Sequence, residues 1–293
     1  MKTTPLNKYR GFALALAVTL LAGLPSAGLS QLSTVYSNNF ESYATNSYPI
    51  PSNPLPGWTG MTSVSGLQPA IVSPPVNASG NALNLNSTGG GATGYLSVNS
   101  PLLAGSAADW SVSGSARYLA SNLDGNAWYG SGGLLLSSTG DMSGDFLWLA
   151  IEPGWGVFNP TTTWARPYAQ WSLGGSNGAG TLFSPTVNNN GAIRMSTDTW
   201  GPALLTASRT NGGSSITYTI DSPVDAQRIA TLNFTGAAAA ALDNLQYVGF
   251  ANYLSSWQYD DLTVQAVPEP SSMALLGLAG AGLALHVIRR RRR

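Results

Sequence analysis

The sequence predicts an antiparallel β-sandwich, and three observations carry that reading. Short runs rich in β-branched and aromatic residues recur along most of the chain, several alternating apolar with polar, the period of a half-buried strand. Gly, Asn, Ser and Pro gather between the runs, where turns need them. Apart from the two termini, only the alanine-rich stretch 236–245 has helical character.

In chain order, "MKTTPLNKYR" places Lys2, Lys8 and Arg10 ahead of the apolar run "GFALALAVTLLAGL" and the small residues "PSAGLS". That is the charged, apolar and cleavage order of a secretory signal peptide, helical over its apolar part, with a cut after Gly28 or Ser30. Residues 1–30 are therefore set apart as a leader, and residues 31–266 as an exported body. The body offers strands in "TVYSNNF" (34–40), "NALNLN" (81–86), "GYLSV" (94–98), "DWSVSGSARYL" (109–119), "GGLLLSS" (132–138) and "DFLWLAI" (145–151). It continues with "SSITYTI" (214–220), "RIATLNF" (228–234), "LQYVGFANY" (245–253) and "WQYDDLTVQAV" (257–267). Asn211-Gly212 lies between two strand-like runs and predicts a hairpin. Turn chemistry fills "NSTGGGATG" (86–94), "SLGGSNGAG" (172–180) and "VNNNGA" (187–192), and "YPIPSNPLPGW" (48–58) reads as a loop over one end of the sheets. No linker and no fixed-period repeat divides the body, so it reads as one domain.

Charge excludes one class of partner. The whole chain is formally neutral, but the body keeps five arginines (Arg117, Arg166, Arg194, Arg209 and Arg228) against twelve carboxylates, a net charge of −7. Without lysine or a basic run, it has no footprint for nucleic acid. There is no cysteine, and the one histidine, His286, falls near the C-terminus. Disulfides, thiol nucleophiles, a Ser-His-Asp triad and histidine metal sites are all excluded from the body. Carboxylate chemistry remains open: "DMSGDFLWLAIEPGW" holds Asp141, Asp145 and Glu152, and Glu41 is the body's other glutamate.

The phrases "NNFESY" (38–43), "LPGW" (55–58), "GNALNL" (80–85) and "WQYDDLTV" (257–264) resemble concanavalin A-like lectin/glucanase jelly rolls. A galactose-binding-type jelly roll opens and closes with similar phrases but is usually shorter. The resemblance implies an antiparallel jelly-roll β-sandwich with the strand at 257–266 beside that at 33–41. Glycosidases of that fold resemble one another in a Glu-x-Asp-x-x-Glu strand, and the chain lacks one. Adjacent terminal strands would bring Glu41, Asp260 and Asp261 to one sheet end, with Asp260 on the core face of Leu262 and Val264 by alternation. A carboxylate at a core rim needs a partner: backbone N–H groups, a distant arginine, or a structural calcium ion of the kind such jelly rolls hold between their termini.

Aromatic side chains are the remaining lead in the body. Trp128, Tyr129, Trp155 and Trp164, set among Gly, Pro and Thr, are candidates for stacking on sugar rings, whereas Trp148 within "DFLWLAI" reads as core.

The C-terminus carries the more specific signal. Pro268 and Pro270 allow neither strand nor helix to run through "VPEPSS". Residues 271–288 are mostly apolar and make roughly 27 Å of helix, enough for one transmembrane span of a thin bilayer. Arg289, Arg290, Arg291, Arg292 and Arg293 would hold its end in the cytoplasm. The order Val267-Pro268-Glu269-Pro270, Gly/Ala/Leu span and arginine terminus, over residues 267–293, resembles the PEP-CTERM sorting signal. That resemblance implies a Gram-negative protein, held in the inner membrane until an exosortase cuts near the motif, and associated with extracellular polysaccharide. Three functions follow in order: a structural protein of the surface or matrix, a carbohydrate-binding lectin-like module, and a glycoside hydrolase.

Overall fold

The computed structural model describes residues 32–45, 55–62, 70–72, 80–86, 93–99, 101–103, 109–118, 130–153, 162–182, 193–196, 202–210, 212–253 and 256–266. The expected leader, the loop 48–54, the crest 187–192 and the whole of 267–293 lie outside the described residues. Among those described, no helix is long and apolar enough to cross a membrane.

Alternation along the runs organises two eight-stranded antiparallel sheets. The first follows the order β14 (Arg228–Asn233), β13 (Ser215–Asp221), β12 (Ala203–Arg209), β6 (Trp110–Tyr118), β16 (Ser256–Ala266), β4 (Ala82–Asn86) and β3 (Ala70–Val72). One long edge of β16 is shared: its first half pairs with β4, from Ser256↔Asn86 to Tyr259↔Leu83. Its second half pairs with β1 (Ser33–Asn38), from Asn38↔Leu262 to Ser33↔Ala266. First and last strands of the body are therefore neighbours, as the sequence predicts. The second sheet follows β10 (Ser176–Thr181), β9 (Thr162–Leu173), β8 (Phe146–Pro153), β7 (Ser131–Ser137), β15 (Tyr247–Tyr253), β5 (Thr93–Val98) and β2 (Trp58–Thr62). There β11 (Ile193–Ser196) joins the outer edge of β9.

The sheets pack face to face over one core. Leu134, Leu136, Leu147, Leu149, Ile151, Val248 and Phe250 of the second sheet meet Val112, Leu205, Ile216, Tyr218, Trp257, Tyr259 and Val264 of the first, all essentially buried. Phe250 stacks on Tyr259 with centroids 4.3 Å apart, and the Tyr259 hydroxyl donates to the Ala251 carbonyl across the layers at 3.0 Å. Asn252, fully buried, donates from its amide to the Leu85 carbonyl at 3.0 Å.

Two turns repay comparison with the sequence. The expected hairpin pairs β12 with β13, with Gly212 at φ +55 between them; Asn211 lies outside the described residues. Buried Arg209 closes that turn, its guanidinium donating to the Gly213 carbonyl (2.7 Å), the Gly212 carbonyl (3.1 Å) and the Asp243 carboxylate (2.7 Å). The alanine stretch is a short helix, α1 (Gly236–Ala241), prolonged by a 3-10 turn at Leu242–Asn244. By contrast, "SLGGSNGAG" is a hairpin rather than a loop. Only Gly174 (φ +55) and Gly175 (φ +80) make the turn, and Ser176 onward is β10, paired with β9.

Candidate functional site

Strand β8 has two faces of different use. Leu147, Leu149 and Ile151 enter the inter-sheet core, while Phe146, Trp148, Ala150 and Glu152 project to the outer face of the second sheet. On that face Leu135, Phe146, Trp148, Ala150 and Ala251 form a second apolar cluster, with half-buried Met142, Tyr168 and Tyr253 packed against it. Register explains the relief. Ala150, Gly133 and Ala251 lie directly opposite one another on β8, β7 and β15, giving a low floor of small side chains. Along one side runs the row Gln170, Trp148 and Leu135. Along the other lie Arg166 opposite Glu152, and Ser131 opposite Tyr253. Tyr168, opposite Ala150, stands at the end of the floor.

The result is a cleft of about 410 Å³ lined by Ser131, Met142, Trp148, Glu152, Tyr168, Gln170 and Tyr253. Trp148 is fixed: its indole N–H donates to the Ala251 carbonyl at 3.2 Å, and Tyr168 meets it edge-on, centroids 5.9 Å apart at 75°. Burial pushes the Glu152 carboxyl above its ordinary value, and the charge of Arg166 opposes that shift without cancelling it. Burial likewise raises the Tyr168 phenol, helped by the neighbouring Glu152 charge and Tyr253. The Glu152 carboxyl and both phenols therefore share one small volume.

Trp148 is core, as its sequence predicts, at 3% exposure, but within the apolar cluster on the outer face of the second sheet rather than between the sheets. "DFLWLAI" is apolar at both parities because its strand is covered on both sides, so composition alone could not separate them. The signal present was Glu152, which has the parity of Trp148 and marks that face as polar at one end. Tyr168 and Gln170 were hidden for another reason: Pro167 interrupts the strand signal of β9, yet sits within it. Of the expected sugar-stacking residues, Trp128, Tyr129 and Trp155 lie outside the described residues. Trp164 is on β9, opposite Arg194 of β11, not on a loop.

The other carboxylates serve the backbone. Asp141 accepts from the Ser143 N–H (3.0 Å) and from the hydroxyls of Ser143 and Thr139. Its burial is outweighed by these bonds, and its carboxyl falls below the ordinary value. Asp145 accepts from the Gly174 N–H at 2.8 Å and the Asn244 amide at 3.3 Å, tying the β9–β10 turn to the end of the helix. Among the described lining residues Glu152 is the single carboxylate, and glycosidase chemistry needs a pair.

Glu41, Asp260 and Asp261 do converge, in a manner alternation could not foresee. A bulge between Asp260 and Thr263, with Asp261 at φ +52, inserts one residue into β16. Trp257 and Tyr259 face the core before it, and Leu262 and Val264 after it. Asp260 therefore opposes Ser115 on the outer face, not the core face expected from simple alternation. Its Oδ1 accepts the Asp261 N–H at 2.7 Å, while Glu41 Oε1 accepts the Asn81 N–H at 2.8 Å. Burial, with the nearby charges of Asp261 and Glu41, pushes the Asp260 carboxyl up to about 7 against its one backbone hydrogen bond. Among the described residues no three such groups are arranged to hold a metal ion.

Comparison with known proteins adds two findings. Residues 266–292 match the PEP-CTERM protein-sorting motif. The chain thus carries the signal of an exported protein processed at the membrane. The body's fold is similar to that of lectin I from Ulex europaeus in complex with the methyl glycoside of α-L-fucose, at 11% identity, covering 79% of this chain and 98% of that one, TM-score 0.48. Lectin II from the same organism aligns at 12% identity over 80% and 100% of the two chains, TM-score 0.47. The marine PL-14 alginate lyase from Aplysia kurodai aligns at 11% identity over 79% and 98%, TM-score 0.46. No curated protein matches the chain in sequence.

Proposed function

We propose that this is an exported surface or matrix protein that associates with extracellular polysaccharide by binding a glycan in the outer cleft of its second sheet. The observation that carries the reading is the cleft itself: a trough with a floor of Ala and Gly, aromatic sides and a few polar tips. Sugar rings present an apolar face and an equatorial rim of hydroxyls, and this arrangement matches both. Tyr168 and Tyr253 would stack, while Gln170, Ser131 and Glu152 would take hydroxyls. The PEP-CTERM match supports the route: export, retention in the inner membrane of a Gram-negative cell, then release or transfer by an exosortase cutting near Pro268-Glu269-Pro270.

The test is co-sedimentation of the secreted protein with insoluble polysaccharides, followed by titration with soluble oligosaccharides. Tyr168→Ala and Tyr253→Ala are each expected to weaken retention about tenfold, the scale of a lost aromatic contact of about 1.4 kcal/mol. Retention unaffected by both substitutions, in variants that melt as the wild type does, overturns the cleft as the binding surface.

A further inference from the structure

The composition of the cleft is more specific than a sugar platform requires. Trp148 and Tyr168 stand nearly perpendicular, 5.9 Å apart, and half-buried Tyr253 packs into the same cluster. Glu152 and the soft thioether of Met142 line the same cleft. Aromatic rings attract a cation through their negative faces, most strongly when the cation is partly desolvated, and a carboxylate supplies the balancing charge. We propose that the cleft is an aromatic cage for an organic ammonium group, and that the glycan it takes carries free amino groups. The inference rests on the glycan reading above and narrows it to a class of polymer, one of incompletely acetylated amino sugars.

The surroundings point the same way. Among the described lining residues none is basic, and the body has no lysine. Arg166 faces Glu152 across the β8–β9 pair, and its charge lowers that carboxyl's pKa less than burial raises it. Polyuronates are disfavoured twice, by Glu152 locally and by the body's charge of −7 at longer range. Gln170, on one side of the cleft, would meet the hydroxyls of the ring that bears the amine.

An ammonium could also come from a small quaternary compound, and the experiment separates the sources. Glucosamine oligomers, their N-acetylated counterparts, neutral β-glucan oligomers and choline are titrated into the secreted protein and into Glu152→Gln, which keeps side-chain size and removes the charge. The expected result is a preference of at least about tenfold for free-amine over N-acetylated oligomers, reduced to within about twofold in Glu152→Gln. Equal affinity for the two forms, or a preference that survives the substitution, overturns the cage and leaves the glycan reading standing. Binding of choline alone upholds the cage but overturns the amino-polysaccharide assignment and the glycan reading together. Absence of binding by every probe overturns both.

Discussion

Single residues in this fold carry charge in places where it costs stability, and their effects are open to measurement. Asp260 titrates at about 7 in the folded protein because burial and two like charges disfavour its anion, whereas an unfolded aspartate titrates near ~3.9. The folded state therefore holds the proton longer. The stability associated with that proton is fully present below about pH 4 and is lost as pH rises through about 7. Asp260→Asn keeps the acceptor for the Asp261 N–H and removes the charge. It should melt higher than wild type at pH 8 and indistinguishably from it at pH 4, and equal melting at both values would refute the account. Arg209 is the opposite case, a buried cation fully used. Arg209→Met leaves the Gly212 and Gly213 carbonyls and Asp243 without their donor. It should destabilise the fold by about 2–4 kcal/mol in denaturant titration.

At the scale of elements, the cleft depends on how closely β7 approaches β8. A methyl group at Gly133 would lie 2.0 Å from the Leu149 carbonyl oxygen and 2.5 Å from the Ala150 Cα, so the two backbones leave room for hydrogen alone. Gly133→Ala should cost about 1–3 kcal/mol of stability, and should weaken glycan retention by lifting the floor. Retention equal to wild type in a folded variant would place binding elsewhere. The same elements set the limits of what the sequence discloses. Strands with clean alternation, such as β13 and β14, are legible because one buried face and one solvated face print a period of two, and the β1–β16 adjacency follows from the jelly-roll resemblance. Three features are not. Pro167 masks β9, glycine-rich β10 looks like its own turn, and the Asp260–Thr263 bulge reverses parity in mid-strand. Tyr168 and Gln170 lie on the masked strand β9, and β8 is apolar at both parities, which is why those two residues and the outward face of Trp148 came only with the structure.

For the whole molecule, export and binding make linked demands on charge. In the proposed route the basic residues at the two ends, Lys2, Lys8, Arg10 and Arg289–Arg293, would orient the chain at a membrane, and the body between them is acidic. Processing that removes both ends would convert a formally neutral chain into an acidic one, whose residues 31–266 alone carry −7. Such a product is repelled by anionic surfaces and drawn to a cationic polymer, in a manner that salt screens over roughly 8–10 Å. Association with an amine-bearing polysaccharide should therefore fall as salt rises, first through loss of long-range attraction and then at a floor set by the cage. A chain still holding its arginines would be tethered instead. Replacing Pro268-Glu269-Pro270 by alanines should leave the protein in the inner-membrane fraction with the arginine terminus detectable by mass spectrometry, whereas the wild-type product recovered outside the cell should lack both the first 28–30 residues and the segment after Pro270. Secreted wild-type protein with an intact arginine terminus, or an alanine variant processed like the wild type, would contradict the sorting role of the motif.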